Sequence, residues 1–588
     1  MDGHDDDIIV GKAYDAGLMR RLMGYLRPYR PQVLAAFAAI VSGAVLQLAQ
    51  PYLMKVAIDR YIKAGDLAGM DRIALLFLGI LTASFACEFV QTYLLQLTGQ
   101  RIMFDLRSQI YGHLQRLDVA YYDRNPVGRM MTRVTTDVDA LNDLFTSGVV
   151  SVFGDIFTLA GIMIVLVVMD WRLALIAFSV LPLIVVITQW FRRNVRESYR
   201  TVRTWISRIN AFLQENITGM ATVQLFRREA VNYGRFSEIN GRHRDANIDS
   251  IFYYAVFYPA IEIVAAIATA LMIWWGGRWV LAGALTLGSL VAFIQYSHRF
   301  FRPISDMSEK FNVLQSAMAA SERIFTLLDT PVAVTSPAEP ARPAWTGRVA
   351  FDHVWFAYDG ENYVLRDVSF DVSPGQRIGI VGATGAGKST IINLLMRYYD
   401  VSRGRVLVDG VDIREIDLGE LRRRFSLVLQ DVHLFSGTVG GNVRLGNPDI
   451  DDGQVARALE AVHADGFVGR FPGGVDTPVA ERGATLSTGQ KQLLSFARAL
   501  AFDPRILVLD EATSSIDTET ELLIRDALHV IMAGRTTIAI AHRLSTIQDM
   551  DTILVLHKGQ LREAGSHQEL LAQRGIYYRL YELQYATS

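Results

Sequence analysis

Apolar residues are distributed unevenly along this chain. Up to about residue 305 they run in long unbroken blocks; from about residue 348 they alternate with polar residues in the short periods of strands and amphipathic helices. Six blocks approach or exceed the ~20 residues that helical rise requires to cross a bilayer: 32–57, 73–97, 147–169, 173–190, 260–279 and 285–301. Ahead of the first, Leu18-Met19-Arg20-Arg21-Leu22-Met23-Gly24-Tyr25-Leu26-Arg27 is basic and amphipathic, and predicts a short helix lying along the membrane surface with its arginines toward headgroups. Pro51 and Pro182 fall inside spans, where a kink is tolerated if neighbours satisfy the freed carbonyls.

The connections between spans differ in length. Only a few residues separate the third and fourth spans, whereas 98–145 and 191–259 are long, polar and helix-patterned. The second long connection carries Arg192, Arg193, Arg196, Arg200, Arg203 and Arg208, which under the positive-inside rule puts that end in the cytoplasm. Lys55, Arg60 and Lys63 in the first outer loop are too sparse to reverse the assignment. After the last span a helical run leads to 330–347, where Pro331, Pro337, Pro340 and Pro343 mark a linker. The expected organisation is a tail at 1–14, a membrane domain at 15–329, the linker at 330–347 and a soluble α/β domain at 348–588.

Composition adds limits. The chain has 588 residues, 51% of them hydrophobic, and a net charge of −2, which gives no basic face for nucleic acid. Its single cysteine, Cys87, excludes an internal disulfide and a cysteine-based metal cluster. The acidic start, Asp5-Asp6-Asp7, lacks the basic n-region of a cleaved leader, so insertion is expected to rely on the internal spans.

The chemistry is concentrated in the second half. Gly382-Ala383-Thr384-Gly385-Ala386-Gly387-Lys388-Ser389 matches G-x-x-x-x-G-K-[ST] at every fixed position. The apolar run 377–381 before it reads as a buried strand and Thr390–Met396 after it as a helix. That order aims backbone N–H groups and a helix dipole at an anion. Lys388 is expected to reach the β- and γ-phosphates, and Ser389 to hold Mg²⁺. A second strand, Ile506-Leu507-Val508-Leu509, ends in Asp510 and Glu511. Strands of parallel sheets deliver their C-terminal residues to the ligand crevice, so Asp510 is expected on Mg²⁺ and Glu511 on the attacking water. Both carboxylates could instead cap the helix expected after them.

Between these motifs stands Leu486-Ser487-Thr488-Gly489-Gln490, followed by a helical run. The order of phosphate loop, Gln430, this pentapeptide, Asp510-Glu511, Ser515-Ile516-Asp517 and His542 resembles an ATP-binding cassette. With six spans in front, the chain resembles a half-transporter of the bacterial ABC exporter group, the multidrug and lipid exporters, from about Asp15 to the C-terminus. The fold implied is a membrane α-helical bundle of six transmembrane helices joined to an α/β P-loop NTPase domain.

The resemblance implies roles. Tyr358 stacks on adenine, and Gly382, Thr384, Gly385, Ala386, Gly387, Lys388, Ser389 and Thr390 form the ATP cradle. Gln430 senses Mg²⁺ and the attacking water, and His542 contacts the γ-phosphate. Asp517 couples the two nucleotide sites. Ser487, Gly489 and Gln490 reach the γ-phosphate held by an opposing cassette, so a second half-transporter is implied. Thr488 stands where the family has glycine. A side chain there crowds the phosphate and restricts backbone angles that glycine would allow, which favours a heterodimer over a homodimer. Residues 121–133, with Asp123, Gly128 and Arg133, resemble the first coupling segment. Glu215 and Gly219 fall where the second is expected. ATP with Mg²⁺ would then drive an amphipathic small molecule or lipid out across the bacterial inner membrane, with the cassette and both termini cytoplasmic. An ATP-gated channel or a regulatory protein that does not pump is the alternative. Glu88, Asp155 and Glu262 fall within spans, where acids are expensive and mark either substrate contacts or internal pairs.

Overall fold

A computed structural model describes residues 15–511, 518–541 and 547–585. Contacts within the chain divide it into two units, one of residues 1–115 and 127–330, the other of 116–126 and 331–588.

The first unit is helical. Among the described residues five of its helical segments are long and apolar enough to cross a membrane: Arg27–Ile62, Leu67–Leu114, Val152–Met169, Trp171–Thr218 and Glu229–Leu281. The sixth expected span lies within helix Leu287–Leu328, which is more polar because Gln295, His298, Arg299 and Arg302 interrupt its apolar first half. The turn between the third and fourth spans is reduced to Asp170, whose carboxylate accepts from the backbone N–H of Arg172 (2.9 Å) and Leu173 (3.0 Å) and so starts the next helix. Within the fourth span the helix ends at Phe178 and resumes at Leu181. Pro182 therefore occupies the first turn of a new helix, where its missing N–H costs nothing.

Pro51 is a different case, because it sits inside the continuous helix Arg30–Val56. A proline there removes the donor that would serve the carbonyl four residues earlier, that of Gln47. The Arg299 guanidinium takes over, donating 2.6 Å to the Gln47 carbonyl and 2.6 Å to Gln50 Oε1, while Tyr296 donates to the Leu48 carbonyl. Helix Leu287–Leu328 thus repairs the ladder that proline breaks. Arg299→Ala is expected to cost about 1–3 kcal/mol of unfolding free energy. In a Pro51→Ala background, where an amide again faces Gln47, the cost should drop. A thermal-unfolding double-mutant cycle with no coupling would refute the assignment.

The charged residues expected in the spans separate. Asp155 pairs with Lys310, joining helices Val149–Met169 and Leu287–Leu328, whereas Glu88 and Glu262 are exposed in the single chain.

In the second unit the strands are β1 (Val349–Ala357), β2 (Tyr363–Val372), β3 (Arg377–Val381), β4 (Arg403–Val408), β5 (Val411–Asp412), β6 (Phe425–Val428), β7 (Gly437–Thr438), β8 (Pro478–Val479), β9 (Ile506–Glu511), β10 (Thr536–Ala541), β11 (Thr552–His557) and β12 (Gln560–Gly565). The main sheet runs β12-β11-β3-β10-β9-β6, parallel except for β12 at one edge. A smaller antiparallel sheet runs β2-β1-β4-β5, and β7 pairs with β8. Alternation along β9 explains the layers. Ile506 and Val508 join the core shared with Val349, Phe351 and Ile391, while Leu507 and Leu509 join Leu493, Phe496 and Ala527 on the other face. One face of the main sheet thus carries the small sheet and helix Lys388–Leu395, and the other carries helices Asp452–Ala461, Thr488–Ala501 and Thr518–Met532.

Candidate nucleotide site

The phosphate loop follows β3 and opens helix Lys388–Leu395, as its residues predict. Its glycines are demanded by geometry. Gly387 has φ +105°, and a β-carbon there would lie 2.6 Å from Leu365 Cδ2. A β-carbon on Gly382 would come within 2.3 Å of the Leu556 carbonyl oxygen. The loop is held by Ala386 N–H donating to the Ala383 carbonyl (3.0 Å) and by Gly559 N–H donating to the Ala386 carbonyl (3.2 Å). Lys388 is buried and curls back, donating 2.8 Å to the Gly382 carbonyl and 3.3 Å to that of Ala383. Burial holds its pKa below the ordinary lysine value, and Asp510 works in the opposite direction. Thr384, Gly385 and Ser389 are exposed, while Thr390 is buried.

Strand register brings the second motif to the same edge. Asp510 is level with Ile540 on β10, and Ile540 with Ile380 on β3, two residues before Gly382. Asp510 and the phosphate loop thus leave the sheet at the same end, from C-terminal ends that flank β10, the crevice position of parallel sheets. Glu511 is level with Ala541, the last residue before His542. The Glu511 side chain, Asp517 and His542 lie outside the described residues. Val428 pairs with Leu509, which sets Gln430, exposed, two residues beyond the end of the adjoining β6. The Tyr358 hydroxyl donates to Thr390 Oγ1 (3.1 Å) and accepts from Asn393 Nδ2 (3.1 Å), which anchors the ring beside the phosphate-loop helix.

The pentapeptide is built differently. Ser487 caps helix Thr488–Ala501, accepting from the Gln490 N–H at 3.2 Å, and Gln490 Oε1 accepts from the Ser487 N–H at 3.0 Å. Gly489 is buried, and this helix packs against helices Val439–Arg444, Asp452–Ala461 and Thr518–Met532. Thr488 is the exposed first helical residue and has no positive φ. The backbone restriction expected from a β-carbon therefore does not arise; only its bulk at the helix tip remains.

Two residues escaped the sequence reading. Arg498, on the same helix, donates 2.9 Å to the Asn442 carbonyl and 3.2 Å to that of His433, tying the loop after Gln430 to the pentapeptide helix. Burial lowers its pKa. Tyr399 donates to Asp123 from 276 residues away, and Arg124 donates 3.0 Å to the Tyr358 carbonyl. Burial, first, and then the Asp123 carboxylate raise the Tyr399 pKa. Helix Val119–Arg124 thus packs within the nucleotide-binding unit, beside the aromatic assigned to adenine. The other coupling candidates lie in the helical unit. Gly128 and Arg133 sit on helix Val127–Val134, with Arg133 donating 3.1 Å to the Arg323 carbonyl. Glu215 is exposed near the end of helix Leu181–Thr218, which Gly219 caps.

A parallel-sheet phosphate-loop domain on the same chain as a bundle of membrane-length helices defines a membrane-embedded ATPase. Profiles for known families agree in both halves: the ABC transporter transmembrane region matches residues 33–304 and the ABC transporter domain residues 365–514. Among characterised sequences, a probable multidrug resistance ABC transporter ATP-binding/permease protein of Bacillus subtilis is 39% identical, over 88% of this chain and 77% of its own length. A fatty acid ABC transporter ATP-binding/permease protein of Mycobacterium bovis is also 39% identical, over 88% of this chain and 82% of its own length. A solved bacterial Atm1-family ABC exporter with ATP bound superimposes with a TM-score of 0.78 at 29% identity, covering 94% of this chain and 98% of that one. The chain belongs to the ABC transporter family and is an exporter whose ATP hydrolysis is coupled to transport.

Proposed function

We propose that this chain is one half of a two-cassette exporter that carries amphipathic small molecules or lipids outward by alternating access. The observation that carries the reading is the shared sheet edge of the phosphate loop and Asp510, on a chain that also holds the membrane helices. ATP would bind with its phosphates on the loop amides and Lys388 and its adenine against Tyr358. Ser389, Asp510 and Gln430 would hold Mg²⁺, with the few protein ligands that this ion accepts beside phosphate oxygens. Glu511 and His542 would act on the attacking water and the γ-phosphate, and Asp517 would link the two sites. The bundle would sit in the inner membrane with the cassette and both termini cytoplasmic.

Pairing is supported by exposed surface. Ser487, Thr488 and the helix start behind them face outward, leaving an anion-binding end for a partner's nucleotide. Around the second coupling segment, Ile217, Met220, Leu225 and Phe226 are all exposed in the single chain, an apolar cluster that fits docking on a second cassette. The bulk of Thr488 favours a partner carrying glycine at that position, hence a heterodimer. Co-purification from the native host tests this: a second half-transporter in stoichiometric amount is expected, and a pure homodimer with full transport would overturn the heterodimer. Inside-out vesicles should accumulate a fluorescent amphiphile or a labelled fatty acid only with ATP. ATPase activity without accumulation of any such probe would favour the non-pumping alternative.

Cassette motion would reach the helices through the docked segment at 119–124. Asp123→Ala is expected to cut substrate-stimulated ATPase about 3- to 10-fold, the worth of one charge-assisted hydrogen bond on a partly exposed surface, while basal ATPase holds. Equal loss of both activities would mean that Asp123 serves the fold instead of coupling.

A further inference from the structure

The surface helix and the first span border a crevice in the helical unit, apart from the nucleotide site. It has a volume of about 240 Å³ and is lined by Met23, Leu26, Val33 and Leu34, with Arg27 and Arg30 at its rim. A narrower apolar space continues from it past Leu95, Gly99 and Phe145. Leu34 is 67% exposed, so the crevice opens to the outside of the helical unit.

The surrounding hydrogen bonds hold this shape and leave the arginines available. Tyr25 donates 2.7 Å to Gln109 and Tyr29 donates 2.7 Å to Asp105, stitching the surface segment to helix Leu67–Leu114 on both sides of Arg27. Arg21 is engaged with Asp329, and the Tyr29 hydroxyl occupies Asp105. Among the described residues Arg27 and Arg30 have no acidic partner, and both are exposed. Arg101 adds a third cation close to Tyr29. The segment around Tyr29 thus carries more cations than the one carboxylate, Asp105, that its hydroxyl engages.

We propose that this crevice is a binding site for an anionic phospholipid of the cytoplasmic leaflet, with its phosphate on Arg27 and Arg30 and the start of one acyl chain against Met23, Leu26 and Val33. Charge and surface type choose the occupant together. A soluble phosphate would gain nothing from the apolar walls, and a zwitterionic lipid, whose phosphate comes with its own cation, would compensate the arginines less. Bound there, the lipid would brace the surface helix against the second span, independently of which substrate is exported.

The test is native mass spectrometry of the full-length protein released from vesicles of phosphatidylcholine with phosphatidylglycerol. Wild type is expected to retain phosphatidylglycerol, and Arg27→Ala/Arg30→Ala to retain about 10- to 30-fold less, two surface charges being removed. Among the described residues neither arginine makes a side-chain hydrogen bond or ion pair, so that variant should assemble normally. Arg27→Lys/Arg30→Lys should keep most of the retention, and Val33→Trp, which fills the crevice with both charges in place, should lose it. Arg193→Ala/Arg196→Ala, exposed arginines of the second long connection, should retain lipid as wild type does. Loss equal to that of Arg27→Ala/Arg30→Ala in this control would overturn the site in favour of general surface charge. Unchanged retention in Val33→Trp, or competition by free glycerol phosphate, would overturn the role of the chain-binding crevice.

Discussion

Glu511→Gln is expected to lower ATP turnover about 10²- to 10⁴-fold while ATP still binds, the range that a positioned general base contributes. The substitution keeps size and hydrogen-bonding capacity and removes only the ability to take a proton. Glu511 is the last residue of β9, one position beyond Asp510, which is level across β10 with the strand that feeds the phosphate loop. We infer the role from that backbone position, which would bring a carboxylate to the γ-phosphate end of a nucleotide lying on the loop. Glu511→Gln should therefore accumulate a nucleotide-bound state, read as unaltered affinity in equilibrium titration beside near-zero phosphate release. Turnover within twofold of wild type would remove Glu511 from the mechanism. A parallel loss of affinity and turnover would instead make it a metal-holding residue.

Local motifs were the legible part of this chain, and long-range compensation was not. The phosphate loop could be read because its chemistry is continuous: Gly382, Gly385 and Gly387 supply the backbone, Lys388 the charge and the next residues the helix. Asp510 was legible because an apolar strand ending in acids has few uses inside a parallel sheet. The membrane helices followed from block length alone. The break at 179–180 was hidden, since an uninterrupted apolar run reads equally well as one helix or two. No local pattern told the harmless Pro182 from the costly Pro51; the difference lies in Arg299, roughly 250 residues away. Likewise Asp123 and Tyr399 are ordinary polar residues until the fold brings them together. Thr488 shows the opposite failure. Glycine's absence suggested backbone strain, yet the first position of a helix asks for the negative φ that any residue adopts.

Lys388→Ala carries the second large effect, a fall of about 10²- to 10³-fold in ATP affinity, equivalent to about 3–4 kcal/mol. The lysine is desolvated at the foot of the loop and satisfied by the carbonyls of Gly382 and Ala383. It is thus pre-placed: phosphate need only replace two neutral acceptors with a charged one, and no long side chain has to be immobilised at the moment of binding. Alanine removes the cation and leaves the loop amides, so residual affinity should persist. Lys388→Arg is not expected to rescue, because a planar guanidinium does not fit a position only 8% exposed. The pH profile gives an independent check. Burial lowers the lysine pKa, so its charge is lost at a lower pH than that of an exposed lysine. ATP affinity of the wild type should be flat through neutrality and decline on the alkaline side, whereas Lys388→Ala stays flat across the same range. The fold should not loosen there, since a group with a lowered folded-state pKa adds stability as pH rises through it. Alkaline decline of equal size in both proteins would place the titrating group elsewhere, and unchanged affinity in Lys388→Ala would remove the lysine from the phosphate site.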